Sequence, residues 1–415
     1  MENFDTTSYV ESILGTFSII SHPLCVRTKK KGEIATSAPL RALLLALLPD
    51  DHEARPILTA WAEHTTAYGN ISKYTAPLLY RRRTNCKQPF DSILLPQPTT
   101  RHRNPAVQIT YPRWYMVPGA YKDDSSDRGG QKQARPSAQA PQAQQFPPEI
   151  FACICSRYLG GSIIGPDLSQ IELRTAALLS GDESLVQNYR EGRDLHTDRA
   201  VYIFGPSVTS EPTFKSGLPT DKRQWSKTLN FEDLYMAGPA KMQQKLLEDS
   251  GIIYPLSFFE EVVRSRRELR PGLVEWQRGL IQTVERQGYL ELPITGHGRT
   301  FFGGIVGSNK VNEVVNFPVQ AFAALTMRDI ALTVCDNLPP LSHPDPPIVF
   351  FMDRYDACYI DCKPGYEEEA RSIYADAVRR CDTTGLWGQM QDLLGREVPL
   401  KYDMKTLSPP PGTLP

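Results

Sequence analysis

Apolar residues recur at helical spacing between Pro39 and Tyr80, around Leu43, Leu47, Ile57, Leu58 and Trp61, with Pro49 and Pro56 as interruptions. This pattern predicts short helices joined by breaks. From Pro118 to Pro148 the composition turns to Gly, Ser, Gln, Ala and Pro with almost no large apolar side chains, a stretch that cannot offset its ordering entropy and is expected to be a disordered insertion. A strand is predicted over Gly161 to Ile164, then helices over Ile171 to Ser180, Lys222 to Asp249, Phe258 to Arg286 and Gln320 to Asn337. Ile348 to Met352 and Ala357 to Asp361 are β-prone runs on either side of a polar break at Asp353 to Asp356, the pattern of strand, turn and strand. A helix over Glu367 to Arg380 and a strand around Val398 to Asp403 follow. Alternating strands and helices predict an α/β or α+β catalytic core.

The 415 residues leave room for two or three domains, and 40% hydrophobic with 22% charged residues is an ordinary globular composition. With 46 Lys and Arg against 47 Asp and Glu, the net charge of −1 gives no global pull on nucleic acid, so a DNA site must be a local basic patch. Lys29 to Lys31, Arg81 to Arg83, and Arg101 with His102 and Arg103 are candidates, although such runs also serve as solvated surface. The eight cysteines include no C-x-x-C pair, so a zinc knuckle or redox motif is not expected and reduced thiols in an intracellular compartment are the simplest account. Ala42 to Leu48 is the most apolar run, far short of the roughly 20 residues a membrane-spanning helix needs, and Met1 to Tyr9 lacks a basic targeting region.

Two constellations carry chemistry. Asp167 follows the apolar Ile163 and Ile164, where a buried strand would hold a carboxylate rigidly; taken alone, such a residue is more often a helix N-cap than a metal ligand. Asp356 lies at the turn of the predicted hairpin, and two aspartates delivered by separate strands can bridge a pair of metals roughly 3.5–4 Å apart. Arg223, Lys227, Phe231 and Tyr235 follow one another at a spacing of four, which in a helix places two cations and then two aromatics along one slowly winding stripe. A nucleoside triphosphate has that polarity, with phosphates at one end and a flat base at the other. An amphipathic helix with unrelated surface charges is the plainer alternative.

The segment Asp167-Leu-Ser-Gln-Ile-Glu-Leu-Arg174, continued by Leu179-Ser-Gly-Asp182 and Glu191-Gly-Arg-Asp-Leu-His-Thr197, resembles motif A of family A DNA polymerases, the bacterial DNA polymerase I type. Arg223-x3-Lys227-Thr-Leu-Asn-Phe231-x3-Tyr235 is similar to motif B, Asn316-Phe-Pro-Val-Gln320 to the segment that touches the primer–template minor groove, and Tyr355-Asp356-Ala357 stands at motif C, normally His-Asp-Glu. Asn70-Ile-Ser-Lys-Tyr-Thr-Ala-Pro-Leu-Leu79 is similar to the thumb, and similarity runs from about Lys29 to Leu407.

This resemblance implies a right-hand polymerase fold with an antiparallel palm sheet, helical fingers and a partial helical thumb. The implied regions are a thumb-like 1–116, an insertion at 117–148, palm at 149–183, fingers at 184–300 and palm at 301–415. It implies two Mg2+ ions on Asp167 and Asp356, a triphosphate held by Arg223, Lys227 and His196, and Phe231 stacked on the incoming nucleotide, with Phe rather than Tyr discriminating against dideoxynucleotides. Glu172 would pack with Tyr235 under the sugar and exclude a 2′-hydroxyl, which argues for a DNA rather than an RNA polymerase; Gln170 would join the nucleotide site. Arg174, Gln320 and Tyr355 would contact primer–template DNA, as would Arg101 or Arg103 in the segment Thr99 to Gln108. The implied substrates are deoxynucleoside triphosphates and the implied state a monomer. Only about 30 residues precede the stretch of similarity that begins near Lys29, so no exonuclease and no proofreading are expected of this chain. Departures from the family are Tyr355 and Ala357 in motif C, Glu232 and Met236 at motif B positions normally occupied by Gly, and Ala321-Phe322 after Gln320 in place of Gly-Thr. They motivate a second reading, a non-catalytic DNA-binding protein that keeps the fold.

Overall fold

The computed structural model describes residues 24–25, 38–70, 143–147, 151, 154, 156–301, 304–305, 308–340 and 343–407. In chain order the elements are α1 (Ala38–Leu47), α2 (Ala54–Asn70), a 3-10 turn at Ala143–Gln145, β1 (Ser162–Leu168), α3 (Ile171–Ser180), α4 (Glu183–Arg190), α5 (Leu195–Phe204), a 3-10 turn at Pro206–Ser210, α6 (Lys222–Leu234), α7 (Pro239–Ser250), α8 (Leu256–Leu269), α9 (Pro271–Gln287), β2 (Tyr289–Glu291), β3 (Gly298–Thr300), α10 (Ser308–Asp336), β4 (Ile348–Arg354), β5 (Ala357–Cys362), α11 (Glu367–Thr383), α12 (Leu386–Leu394) and β6 (Tyr402–Thr406). They divide into two compact units, Met1–Gly69 with Arg193–Leu269, and Asn70–Gly192 with Arg270–Pro415. The range expected for the fingers, 184–300, is thus shared: 193–269 falls in the first unit, the rest in the second.

Among its described residues the first unit is helical. Leu40, Leu43, Leu44, Leu48 and Leu58 bury one face of α1 and α2 and pack with Leu247 of α7. Trp225 and Leu229 of α6, Met242 and Leu246 of α7, and Phe259 and Val262 of α8 form a second apolar cluster. Asp233 is buried between Arg199 at 2.7 Å and Arg266 at 2.8 Å, which ties α5, α6 and α8 together through charge-assisted bonds. Two predicted long helices are broken here and at the boundary of the units. The helix expected over Lys222 to Asp249 becomes α6 and α7, because Met236 takes a left-handed φ of 57° and Pro239 opens a new helix at its first position, where its missing N–H costs nothing. The helix expected from Phe258 to Arg286 likewise ends at Leu269, and Pro271 starts α9.

In the second unit a four-stranded antiparallel sheet has the order β4-β5-β1-β6. Central strand β5 is buried along its whole length, so its two faces must both be covered. On one side α11 supplies Tyr374, whose hydroxyl donates to the Cys358 carbonyl at 2.7 Å. On the other, Phe146, Phe151 and Ile154 pack with Ile163, Ala357 and Tyr359. Phe146 belongs to the stretch expected to be disordered; residues 143–147 are ordered because this one large aromatic buries itself and Arg354 donates to its carbonyl at 3.1 Å. The remainder of the expected insertion lies outside the described residues, as do Arg101, Arg103 and the thumb-like segment after Asn70.

Strand β1 runs beyond the predicted Ile164 to Leu168 and includes Asp167. Gly165 and Pro166 read as strand breakers, and they do interrupt the ladder to β5, which pairs Ile164 with Ile360 and resumes at Asp167 with Ala357. A Cβ on Gly165 would lie 2.5 Å from both the Cys358 carbonyl oxygen and the Tyr359 ring, so only glycine admits this approach. Helix α10 begins twelve residues before the predicted Gln320 and carries Pro318 inside it. Strand β6 starts at Tyr402, later than the expected Val398.

Candidate active site

Asp167 and Asp356 are brought together by sheet register. Arg354 pairs with Ala357, leaving Tyr355 and Asp356 as a two-residue hairpin loop whose first residue has a φ of 58°, the pattern of a type II′ turn. Asp167 is in register with Ala357, the residue after Asp356, and the Leu168 N–H donates to the Asp356 carbonyl at 3.2 Å. On its other side Ser169 N–H donates to Lys401 at 2.8 Å, so the end of β1 is fixed from both neighbours. Both carboxylates act on the same phenol: burial raises Tyr359, Arg354 opposes this, and the charges of Asp167 and Asp356 help carry its hydroxyl up to about 12. Asp356 is exposed at the turn, whereas Asp353, the other acidic residue of the hairpin, is only 5% exposed. Burial pushes the Asp353 carboxyl up to about 7 against the opposing effects of Arg328 and a hydrogen bond with Gln144.

The sequence-predicted ridge is present on α6 of the first unit. Trp225, Ser226, Leu229, Asn230, Asp233 and Leu234 are buried, while Lys227 is exposed and Arg223 and Phe231 are half-buried on the opposite stripe; Tyr235 closes the helix as its C-cap. Asp221 caps the other end through the backbone N–H groups of Arg223 and Gln224, which fixes where the stripe begins. Arg223 Nε donates to Asp194 Oδ2 at 2.7 Å. Burial would raise the Asp194 carboxyl, but hydrogen bonds from Arg223, Thr197 and the His196 backbone, with the guanidinium charge, bring it down to about 2. His196 is buried with its ring 6.2 Å from that of Phe231. Asn230 Nδ2 lies 3.2 Å from the Leu195 carbonyl, which can only accept, so the same amide donates to His196 Nδ1 at 3.0 Å and the imidazole proton sits on Nε2.

The remaining predicted residues are in the second unit. Gln170 adopts a left-handed φ of 55° just before α3 and its Oε1 accepts from Tyr189 at 3.1 Å. Glu172 occupies the first turn of α3. Arg174, expected at the duplex, is 6% exposed; it donates to the Ser169 carbonyl at 2.8 Å and to Pro399 at 2.6 Å, and its guanidinium lies 4.3 Å from the Tyr189 ring centroid. Gln320 is half-buried on α10. Three residues were not singled out by sequence. Asp194 could have been found as an N-cap three residues before Thr197; Asp403 and Lys405 could not, since their place beside Asp167 depends on strand pairing.

No group of three or more His, Cys, Asp or Glu side chains suited to a metal occurs among the described residues. Asp167 and Asp356 offer oxygen donors only. Magnesium takes one or two carboxylates and completes its shell with phosphate oxygens and water, so this pair fits magnesium and not a closed zinc cage.

Residues 133–405 match the model of DNA polymerase family A. The thermostable DNA polymerase I of Thermus aquaticus is 27% identical over 339 residues, covering 79% of this chain and 34% of that protein. The thermostable DNA polymerase I of Thermus filiformis is 29% identical over 229 residues, 53% of this chain and 25% of that one, and the DNA polymerase of Mycobacterium phage D29 is 28% identical over 164 residues, 40% and 23% respectively. The chain therefore spans about a third or less of these relatives. Among solved structures, the POL domain of Pol1 from M. smegmatis, in complex with DNA primer–template and dNTP, is similar with a TM-score of 0.65 at 15% identity, over 96% of this chain and 62% of that one. At that identity the likeness is one of fold.

Proposed function

Because the chain belongs to DNA polymerase family A, we propose that it is a template-directed DNA polymerase that adds deoxynucleoside monophosphates to a primer 3′ end. The observation that carries this reading is the register joining Asp167 of β1 to the Asp356 turn, with both residues at the surface of a rigid sheet. Asp167 and Asp356 would hold Mg2+, which when bound activates the attacking hydroxyl and stabilises the leaving oxygen. Arg223 and Lys227 bind the triphosphate; Asp194 aims the Arg223 guanidinium, and exposed Lys227 remains a mobile point charge. His196, with its proton on Nε2, serves as a neutral donor to the same phosphates. Phe231 stacks on the base, and Glu172 excludes a 2′-hydroxyl from the sugar position. Tyr355 and Gln320 meet the primer–template duplex.

The test is incorporation of deoxynucleotides opposite a defined template in the presence of Mg2+; products that follow the template sequence are expected, and no extension by folded protein would refute the reading. A second reading, a DNA-binding protein without catalysis, draws support from Ala357 at the motif C acidic position and from Lys405 Nζ bound to Asp167. Salt-sensitive primer–template binding without incorporation would establish it.

A further inference from the structure

Strand β6 alternates Tyr402, Asp403, Met404, Lys405 and Thr406 at the edge of the sheet. Asp403 is in register with Asp167 and Lys405 with Gly165, and residues directly opposite in an antiparallel pair share a face. Asp167, Asp403 and Lys405 therefore stand on one face of the sheet. Lys405 reaches diagonally, and its Nζ is bonded to Oδ2 of Asp167. Asp403 takes a different partner, accepting from Ser169 Oγ at 3.2 Å. Of the two carboxylates on this face, the ammonium bonds to Asp167, the one proposed to bind metal, while Asp403 is held by the Ser169 hydroxyl.

We propose that Lys405 is an internal counter-cation that competes with the divalent ion for Asp167 and sets how much metal the site requires. This rests on the reading of Asp167 as a metal ligand. The side chain of Lys405 is 52% exposed and that of Asp167 33%, so the pair is screened by water and readily exchanged. Asp403, two residues back on the same face, is the acceptor to which the displaced ammonium moves. The ammonium stays close to the ion after displacement; a single and a double charge about 6 Å apart in a water-like dielectric repel enough to weaken binding about tenfold.

The test is a titration of the full chain with Mn2+, followed by the electron paramagnetic resonance signal of the free ion, without DNA or nucleotide. Lys405→Arg is expected to match the wild type, Lys405→Met to bind about tenfold more tightly, and Lys405→Glu more tightly still, with the differences shrinking at high salt. A graded response to charge would not come from a merely structural lysine. If Lys405→Met and Lys405→Glu bind as the wild type does while Asp167→Asn loses the ion, the counter-cation role is refuted and the metal site stands. If Asp167→Asn binds Mn2+ unchanged, the metal reading fails and this proposal falls with it.

Discussion

Arg223 is tied to Asp194 at 2.7 Å, so the leading cation of the α6 ridge is aimed by the residue that caps α5. An unfolded aspartate titrates near 4 and this one near 2, so its stabilising contribution is complete above about pH 4 and is lost as the pH falls toward 2. Asp194→Asn keeps a competent cap but removes the charge. It should lower stability by about 1–2 kcal/mol at pH 7, with the deficit narrowing by pH 3 in urea unfolding curves. A deficit unchanged between the two would show that the ion pair is not its source.

Asp353 should behave in the opposite sense. Its carboxyl keeps its proton in the folded protein to about pH 7 but loses it near 4 when unfolded, so the contribution of the neutral form is full below 4 and is lost as the pH rises through 7. Asp353→Asn preserves that neutral form. Relative to wild type it should gain about 1–3 kcal/mol in stability between pH 5 and pH 8, measured by denaturant unfolding. A difference that does not move with pH would count against a buried, proton-holding aspartate.

Arg174 fastens two loops at once, through the carbonyls of Ser169 and Pro399. Arg174→Ala should destabilise the protein by about 2–4 kcal/mol, because it removes a buried guanidinium that serves two half-buried carbonyls and covers the Tyr189 face. A phosphate-contacting arginine would instead give an unchanged melting temperature and a shallower salt dependence of duplex binding.

Phe231 is half-buried on the outer stripe of α6, with its ring 6.2 Å from that of His196. Phe231→Tyr should ease use of dideoxynucleotides, seen as shorter products in chain-termination ladders. An unchanged ladder would remove Phe231 from the sugar-sensing position.

Local signals were legible in the sequence and long-range ones were not. Helix α3 appears at Ile171–Ser180 as its apolar period predicts, and the hairpin around Asp356 follows from two β-prone runs about a polar turn. Pro239 and Pro271 lie inside helices that the periodicity predicts, although each opens a helix, while Pro318 precedes the predicted helix but lies inside α10. Pro239 and Pro271 stand at the first helical position, where the missing N–H would have no partner, so each opens a helix rather than breaking one. The α6 ridge is legible because its spacing of four is a local property, and each aspartate is legible from its own motif, whereas their meeting depends on the pairing of β1 with β5. Asp403 and Lys405 carry no local signal, because their proximity to Asp167 arises only when β6 pairs with β1.

We propose that Asp167 and Asp356, and not Asp353, hold the metals of nucleotide transfer. Single-nucleotide incorporation on a primer–template should be compared for Asp167→Asn, Asp356→Asn and Asp353→Asn, each first shown to fold. The first two should lose at least about a thousandfold in rate while Asp353→Asn stays within about tenfold of wild type. Wild-type rates in Asp167→Asn or Asp356→Asn, or a loss confined to Asp353→Asn, would contradict the account.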